Sequence, residues 1–155
     1  MSELFPIHGR LAGIDYGTVR IGIAISDVGQ QMASPLDNYT RSGEQADVRR
    51  FQRLVREEDI RGFVVGLPLH MNGDESVKSQ EARQFGAWLE SISELPVIFF
   101  DERMTSAEAE ALLLDVDMSR AKRKKRLDKL AAQIILTNFL QARADGRWPA
   151  DGGIN

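Results

Sequence analysis

Two short, unbroken apolar runs constrain this chain more than any other feature. Residues 62–67 read Gly-Phe-Val-Val-Gly-Leu and residues 97–100 read Val-Ile-Phe-Phe; Pro68 follows the first run and Pro96 precedes the second. A half-exposed strand alternates apolar and polar residues, and a surface helix is apolar only every third or fourth position. A continuous run too short for a helix therefore suits a strand covered on both faces. Such strands need helices above and below the sheet. The remaining segments supply the parts. Residues 10–16 and 19–26 read as paired strands joined by a turn at Gly17-Thr18, with Ile21, Ile23 and Ile25 alternating with small residues. A third strand is expected near 36–40. Val48, Phe51, Leu54 and Val55 recur at helical spacing, as do Ala82, Phe85 and Leu89. Thr105-Ser106-Ala107-Glu108 has the form of a capping box, and a last helix is expected from about 127 to 143. The predicted fold is α/β, a mixed five-stranded sheet with helices on both faces. One domain is expected over 1–145, with a loose tail over 146–155 marked by Gly146, Pro149, Gly152 and Gly153.

The absence of cysteine excludes disulfides, thiolate zinc sites and a cysteine nucleophile. His8 and His70 lie far apart in sequence, with no second His or Cys at ligand spacing, so zinc is not expected. No segment approaches the roughly 20 apolar residues of a membrane span, and the N-terminus lacks a basic start followed by an apolar run. The expectation is a soluble, cytoplasmic protein with no membrane partner.

Carboxylates stand at three places where strand or helix pattern disfavours them. Asp15 interrupts an apolar strand, in Ala-Gly-Ile-Asp-Tyr-Gly, on the same face as Leu11 and Gly13. Its competing reading is a cap on the Gly17 turn. Asp101 and Glu102 follow the second apolar run; neighbours in a strand point to opposite faces, so only one of them can aim at a given site. Here the competing reading is a polar strand end. Asp128, Ala132, Ile135 and Phe139 form one helical stripe that is apolar except for Asp128. A first-turn Asp favoured by the helix dipole is the alternative there. Carboxylates gathered from two strand ends and a helix repel unless a cation lies between them. All-oxygen ligands suit Mg²⁺ or Mn²⁺, and such ions support phosphodiester cleavage.

The net charge of −3 hides an uneven distribution. Residues 120–129 carry seven of the 20 basic side chains and one acid, which leaves 13 basic against 22 acidic residues elsewhere. Arg120, Lys122, Arg123, Lys124, Lys125 and Arg126 occupy every side of any regular element, so packing does not explain them. They also sit beside the expected start of the last helix, where the dipole disfavours cations. A phosphate backbone would offset both costs; the competing reading is a solvated, lysine-rich turn.

Gly13-Ile14-Asp15-Tyr16-Gly17 with Arg20, Gly22 and Ala24 resembles the first motif of the YqgF/RuvX family. Gly66-Leu67-Pro68-Leu69 with Asn72-Gly73, Asp101-Glu102-Arg103 with Thr105-Ser106, and Asp128 with Ala131-Ala132 are similar to its later motifs, in order from about residue 10 to 142. One departure is His70-Met71-Asn72, where that family more often has Asn-Met-Asp. The resemblance implies a ribonuclease-H-like fold related to the RuvC-type resolvases. It implies a nuclease acting on Holliday junctions or maturing the 5′ end of the 16S ribosomal RNA precursor. Carried over by position, the acidic set is Asp15, Asp101 or Glu102, and Asp128. The preferred metal ligands are Asp15, Glu102 and Asp128, with Asp101 facing away. Arg20, Arg103 and the basic run are the candidate nucleic-acid contacts.

Two rivals come from other classes. Asp15-Tyr16-Gly17-Thr18 also resembles the first phosphate motif of actin-like kinases and Hsp70-type ATPases, which need two such domains around the nucleotide. A binding protein that keeps the fold without catalysis is the other. Precursor ribosomal RNA is favoured over four-way DNA as substrate, and both a monomer and a homodimer are compatible with the chain. Tyr16, Tyr39 and Trp88 are the aromatic residues available for stacking on bases.

Overall fold

A computed structural model describes residues 5–103, 120–148 and 153–154, with the backbone alone for 120–129 and 153–154. Strand β1 (Arg10–Asp15) pairs antiparallel with β2 (Arg20–Ser26), which pairs antiparallel with β3 (Ala33–Thr40). Helix α1 (Glu44–Glu58) leads to β4 (Ile60–Leu67), which lies parallel to β1; α2 (Val77–Ser93) leads to β5 (Val97–Asp101), parallel to β4. Helix α3 (Arg120–Ala144) follows, and a two-residue strand β6 (Gly153–Ile154) pairs antiparallel with β5. The sheet order is β3-β2-β1-β4-β5-β6. The five expected strands are all present in a mixed sheet, and both apolar runs are interior parallel strands.

Strand alternation divides the core in two. Ala12, Ile14, Ile21, Ile23, Phe63 and Val65 face α1 and α2, meeting Phe51, Leu54, Ala82, Phe85 and Leu89. Leu11, Ala24, Val64 and Phe100 face the other way, meeting Ala132, Ile135, Leu136 and Phe139 of α3. Gly13 and Gly66 belong to this second face. A Cβ on Gly13 would stand 2.7 Å from Leu136 Cβ and 3.0 Å from the Ala132 carbonyl oxygen; one on Gly66 would lie 2.4 Å from Ile135 Cδ1. The helix rests on bare backbone at both points.

Local sequence explains the helix ends. Ser76 caps α2 in a reciprocal capping box with Ser79. Helices α1 and α2 end on Asp59 and Glu94 in the left-handed region, each donating its backbone N–H to a carbonyl of the last turn. One expectation changes. The last helix starts at Arg120 rather than near 127, so the basic run forms its first turns. Trp148 packs edge-on against Phe139, and Gly153–Ile154 extends the sheet from β5. The Thr105 capping box lies outside the described residues. No helix among the described residues is long and apolar enough to cross a membrane.

Because α3 lies in contact with the Gly13 backbone, Gly13→Ala should destabilise the protein by about 1–3 kcal/mol, as inserted methyl groups do in filled cores. Urea unfolding measures this. A wild-type midpoint for the variant would show that the helix does not press on β1.

Candidate active site

The parallel strands β1, β4 and β5 end together at one edge of the sheet, where ligands of α/β proteins commonly bind. Asp15 closes β1 on the α3 face, two residues beyond Gly13. One step past the register pair Ile14–Val65, Asp15 comes beside Gly66, and Phe100 pairs with Gly66 from the other side. Glu102 lies just past β5, with its backbone N–H donating to the Leu67 carbonyl at 3.2 Å. By alternation it shares the α3 face with Phe100, and its Oε2 stands 2.9 Å from the point where a Gly66 Cβ would be. The missing side chain at Gly66 is what lets the Glu102 carboxylate reach across β4 towards Asp15.

This placement has an electrostatic consequence. Burial, reinforced by the negative charges of Asp15 and then Asp101, pushes the Glu102 carboxyl from 4.5 up to about 7, against an opposing pull from Lys78. Asp101 faces the opposite way. It is 6 % exposed, and its carboxylate accepts hydrogen bonds from the Arg103 backbone N–H at 2.9 Å and from the Arg103 guanidinium at 2.6–3.0 Å. Asp128 lies in α3, one turn before Ala132, which touches the Gly13 backbone; its side chain is outside the described residues.

The remaining candidates divide similarly. Arg20 opens β2, exposed, in a cleft of about 330 Å³ that it shares with Tyr16, Thr18, Lys78 and Glu81. Arg103 does not stand free for a phosphate: besides binding Asp101, its Nη1 donates to the Met71 carbonyl at 3.2 Å. The basic run, Arg120 and 122–126, is helical in backbone, and its side chains are outside the described residues. The proposed stacking residues are engaged elsewhere. Tyr16 packs on Phe85 beneath the Arg41 guanidinium, Tyr39 donates to Asp47, and Trp88 packs on Phe51 and Phe85. Among the described residues, no three acidic or histidine side chains gather closely enough to hold an ion. Sequence reasoning missed Lys78. Its signal was available, because a lysine in the first turn after the Ser76 cap opposes the helix dipole.

Two solved structures share this fold. T. thermophilus RuvC in complex with a Holliday junction substrate superposes with a TM-score of 0.57 at 16% identity, covering 95% of this chain and all of that one. A second Thermus thermophilus RuvC structure gives a TM-score of 0.51 at 16% identity, over 88% of this chain and 96% of that one. The chain thus falls in the class of ribonuclease-H-like proteins that contains the RuvC resolvases. Within that class it belongs to the RuvX family of nucleases, whose model, described as a Holliday junction resolvase, matches residues 9–142. A Rhodopirellula baltica protein named "putative pre-16S rRNA nuclease" is 47% identical over 138 residues, 89% of this chain and 80% of its own. A Koribacter versatilis protein of the same name is 40% identical over 147 residues, 95% of this chain and 96% of its own.

The raised Glu102 pKa fixes the sign of a stability effect. The folded state holds this proton more tightly than the unfolded chain. The resulting stabilisation is therefore full below 4.5 and lost as pH rises through about 7. Glu102→Gln cannot ionise, so with chelator present it should be more stable than wild type by about 2–3 kcal/mol near pH 8. Near pH 5 the gap should close. Thermal melts at both pH values test this; equal destabilisation at both would show that no buried charge is relieved.

Proposed function

We propose that the chain hydrolyses phosphodiester bonds of nucleic acid with the help of divalent cations, at the sheet edge bearing Asp15 and Glu102. One observation carries the reading: two carboxylates on one face, so close that burial and Asp15 hold the Glu102 proton until about pH 7. A cation between them would relieve that repulsion, and the donors are oxygens, which fits Mg²⁺ or Mn²⁺. Asp15, Glu102 and Asp128 would hold it. When bound, the metal supplies positive charge where the phosphodiester accumulates negative charge. The protein's share is to orient: β1 and β5 aim the two carboxylates from one face, and α3 brings position 128 to the same face. Lys78 and Arg20, on the neighbouring cleft, are suited to hold the phosphates that flank the cleaved bond.

The favoured substrate is precursor 16S ribosomal RNA, processed in the cytoplasm. The names of the relatives and the charge distribution support this. One compact basic segment on a chain otherwise carrying 13 basic and 22 acidic residues suits a single strand passing one site. It also requires no second copy of the chain. The description of the family model favours a second reading, cleavage of four-way DNA junctions, which would call for a symmetric dimer.

Asp15→Asn should abolish cutting of a labelled precursor-RNA fragment in Mn²⁺ while leaving binding intact, and chelator should have the same effect on wild type. Full activity of the variant, or of wild type in EDTA, would end the metal-site reading. Paired nicks in a four-way junction with the RNA left whole would favour the junction reading.

Neutralising Lys122, Arg123, Lys124 and Lys125 should weaken binding of all sequences alike. Each phosphate contact removed should flatten the slope of log K against log salt by roughly 0.7–0.9. An unchanged slope would reduce the run to a solvated helix start.

A further inference from the structure

The segment Asp101-Glu102-Arg103 sends its three side chains to different tasks. Asp101 and Arg103 meet on the face away from Glu102, as a fork in which Nε lies 3.0 Å from both carboxylate oxygens and Nη2 lies 2.6 Å from Oδ2. The Arg103 backbone N–H adds a further bond to Oδ1 at 2.9 Å. These contacts close a ring around residue 102 and restrict the backbone on both sides of it. Nη1 then donates to the Met71 carbonyl at 3.2 Å, and the guanidinium lies 3.5–3.9 Å from the position of a Gly73 Cβ. Gly73 has φ +94, a conformation suited to glycine, and the 70–74 loop is closed by His70 N–H to the Asp74 carbonyl and Gly73 N–H to the His70 carbonyl. All three guanidinium nitrogens are therefore bonded to the protein.

The geometry points to Arg103 as a positioning residue. Through Asp101 it fixes the direction of the Glu102 carboxylate over Gly66, and through Met71 it fastens the loop between β4 and α2 to the same strand end. This assignment rests on the reading of Asp15 and Glu102 as metal ligands. It departs from a phosphate-contact role for Arg103 and from a ligand role for Asp101. Replacing the outer partners of a ligand generally costs about 10–100-fold in metal affinity or activity.

The test uses Arg103→Ala, Arg103→Lys, Asp101→Asn and Glu102→Gln in the full chain. It reads Mn²⁺ affinity by calorimetry, kcat and KM on a labelled RNA, and the salt dependence of RNA binding in chelator. Both Arg103 variants and Asp101→Asn should lose about 10–100-fold in Mn²⁺ affinity and kcat, with KM and salt slope near wild type. Lysine should not rescue, because one ammonium cannot reproduce the fork. Combining Asp101→Asn with Arg103→Ala should be no worse than either alone, because the two act as one unit. A salt slope flatter by about 0.7–0.9 at unchanged Mn²⁺ affinity would make Arg103 a phosphate contact and overturn the proposal. So would full rescue by lysine. If Arg103→Ala does not fold, Asp101→Asn decides: unchanged Mn²⁺ affinity overturns the proposal. Glu102→Gln separates the two levels. If it binds Mn²⁺ and cuts RNA like wild type, the site reading itself falls. If it is inactive while the Arg103 variants are unaffected, only the positioning role falls.

Discussion

The distance between α3 and the sheet is set where side chains are missing. At Gly13 the helix backbone stands 3.0 Å from the position a Cβ would take, and at Gly66 Ile135 stands 2.4 Å from it. Any larger residue at either position would move the helix outward. Much follows from this approach. It buries Ala132, Ile135, Leu136 and Phe139 against β1, β4 and β5, which makes the second half of the core. It also brings the helix turn bearing Asp128 next to the strand that ends in Asp15. The same vacancy at Gly66 holds the Glu102 carboxylate. One packing requirement therefore determines both the core on this face and the gathering of acidic residues at its edge.

That arrangement conflicts with the usual electrostatics of a core. A carboxylate drawn across a strand towards a second carboxylate loses hydration and gains repulsion, and the Glu102 proton is retained to about pH 7 as a result. The neighbouring acid is treated in the opposite way. Asp101 is almost wholly buried yet fully compensated by the Arg103 fork. A fold stabilised for its own sake would pair both. Leaving one acid compensated and the next one strained is the pattern expected where local consistency gives way to function.

Strand parity and apolar runs made most of this legible in the sequence. The continuous runs at 62–67 and 97–100 could only be interior strands, and the period of Ala82, Phe85 and Leu89 marked the helix that covers them. The anomaly at Asp15 was visible because an apolar strand rarely accommodates Asp. Other features were hidden for definite reasons. The start of α3 was placed too late because lysine and arginine are good helix formers whose charge masks the helical period. Tyr16, Tyr39 and Trp88 look available for stacking in one dimension, but all three are partly buried and pack against the first core. Lys78 breaks the dipole rule of a first helical turn, which the sequence does show, but the carboxylate that gives it significance is 24 positions away in sequence.

The pair Asp101-Glu102 shows how adjacent acids at a strand end can be separated in principle. Alternation says that they face opposite sides but not which side is which. Arg103 supplies the missing information. A residue two positions on returns to the same face as Asp101, and an arginine there is long enough to fold back and close a fork on that carboxylate. Arg103 therefore compensates the acid whose parity it shares and leaves the intervening one exposed to its other neighbours. Here those neighbours are Gly66, which provides space, and Asp15, which provides charge. In an acid-acid-arginine sequence closing a parallel strand, the middle residue is thus the one whose charge the arginine leaves uncompensated.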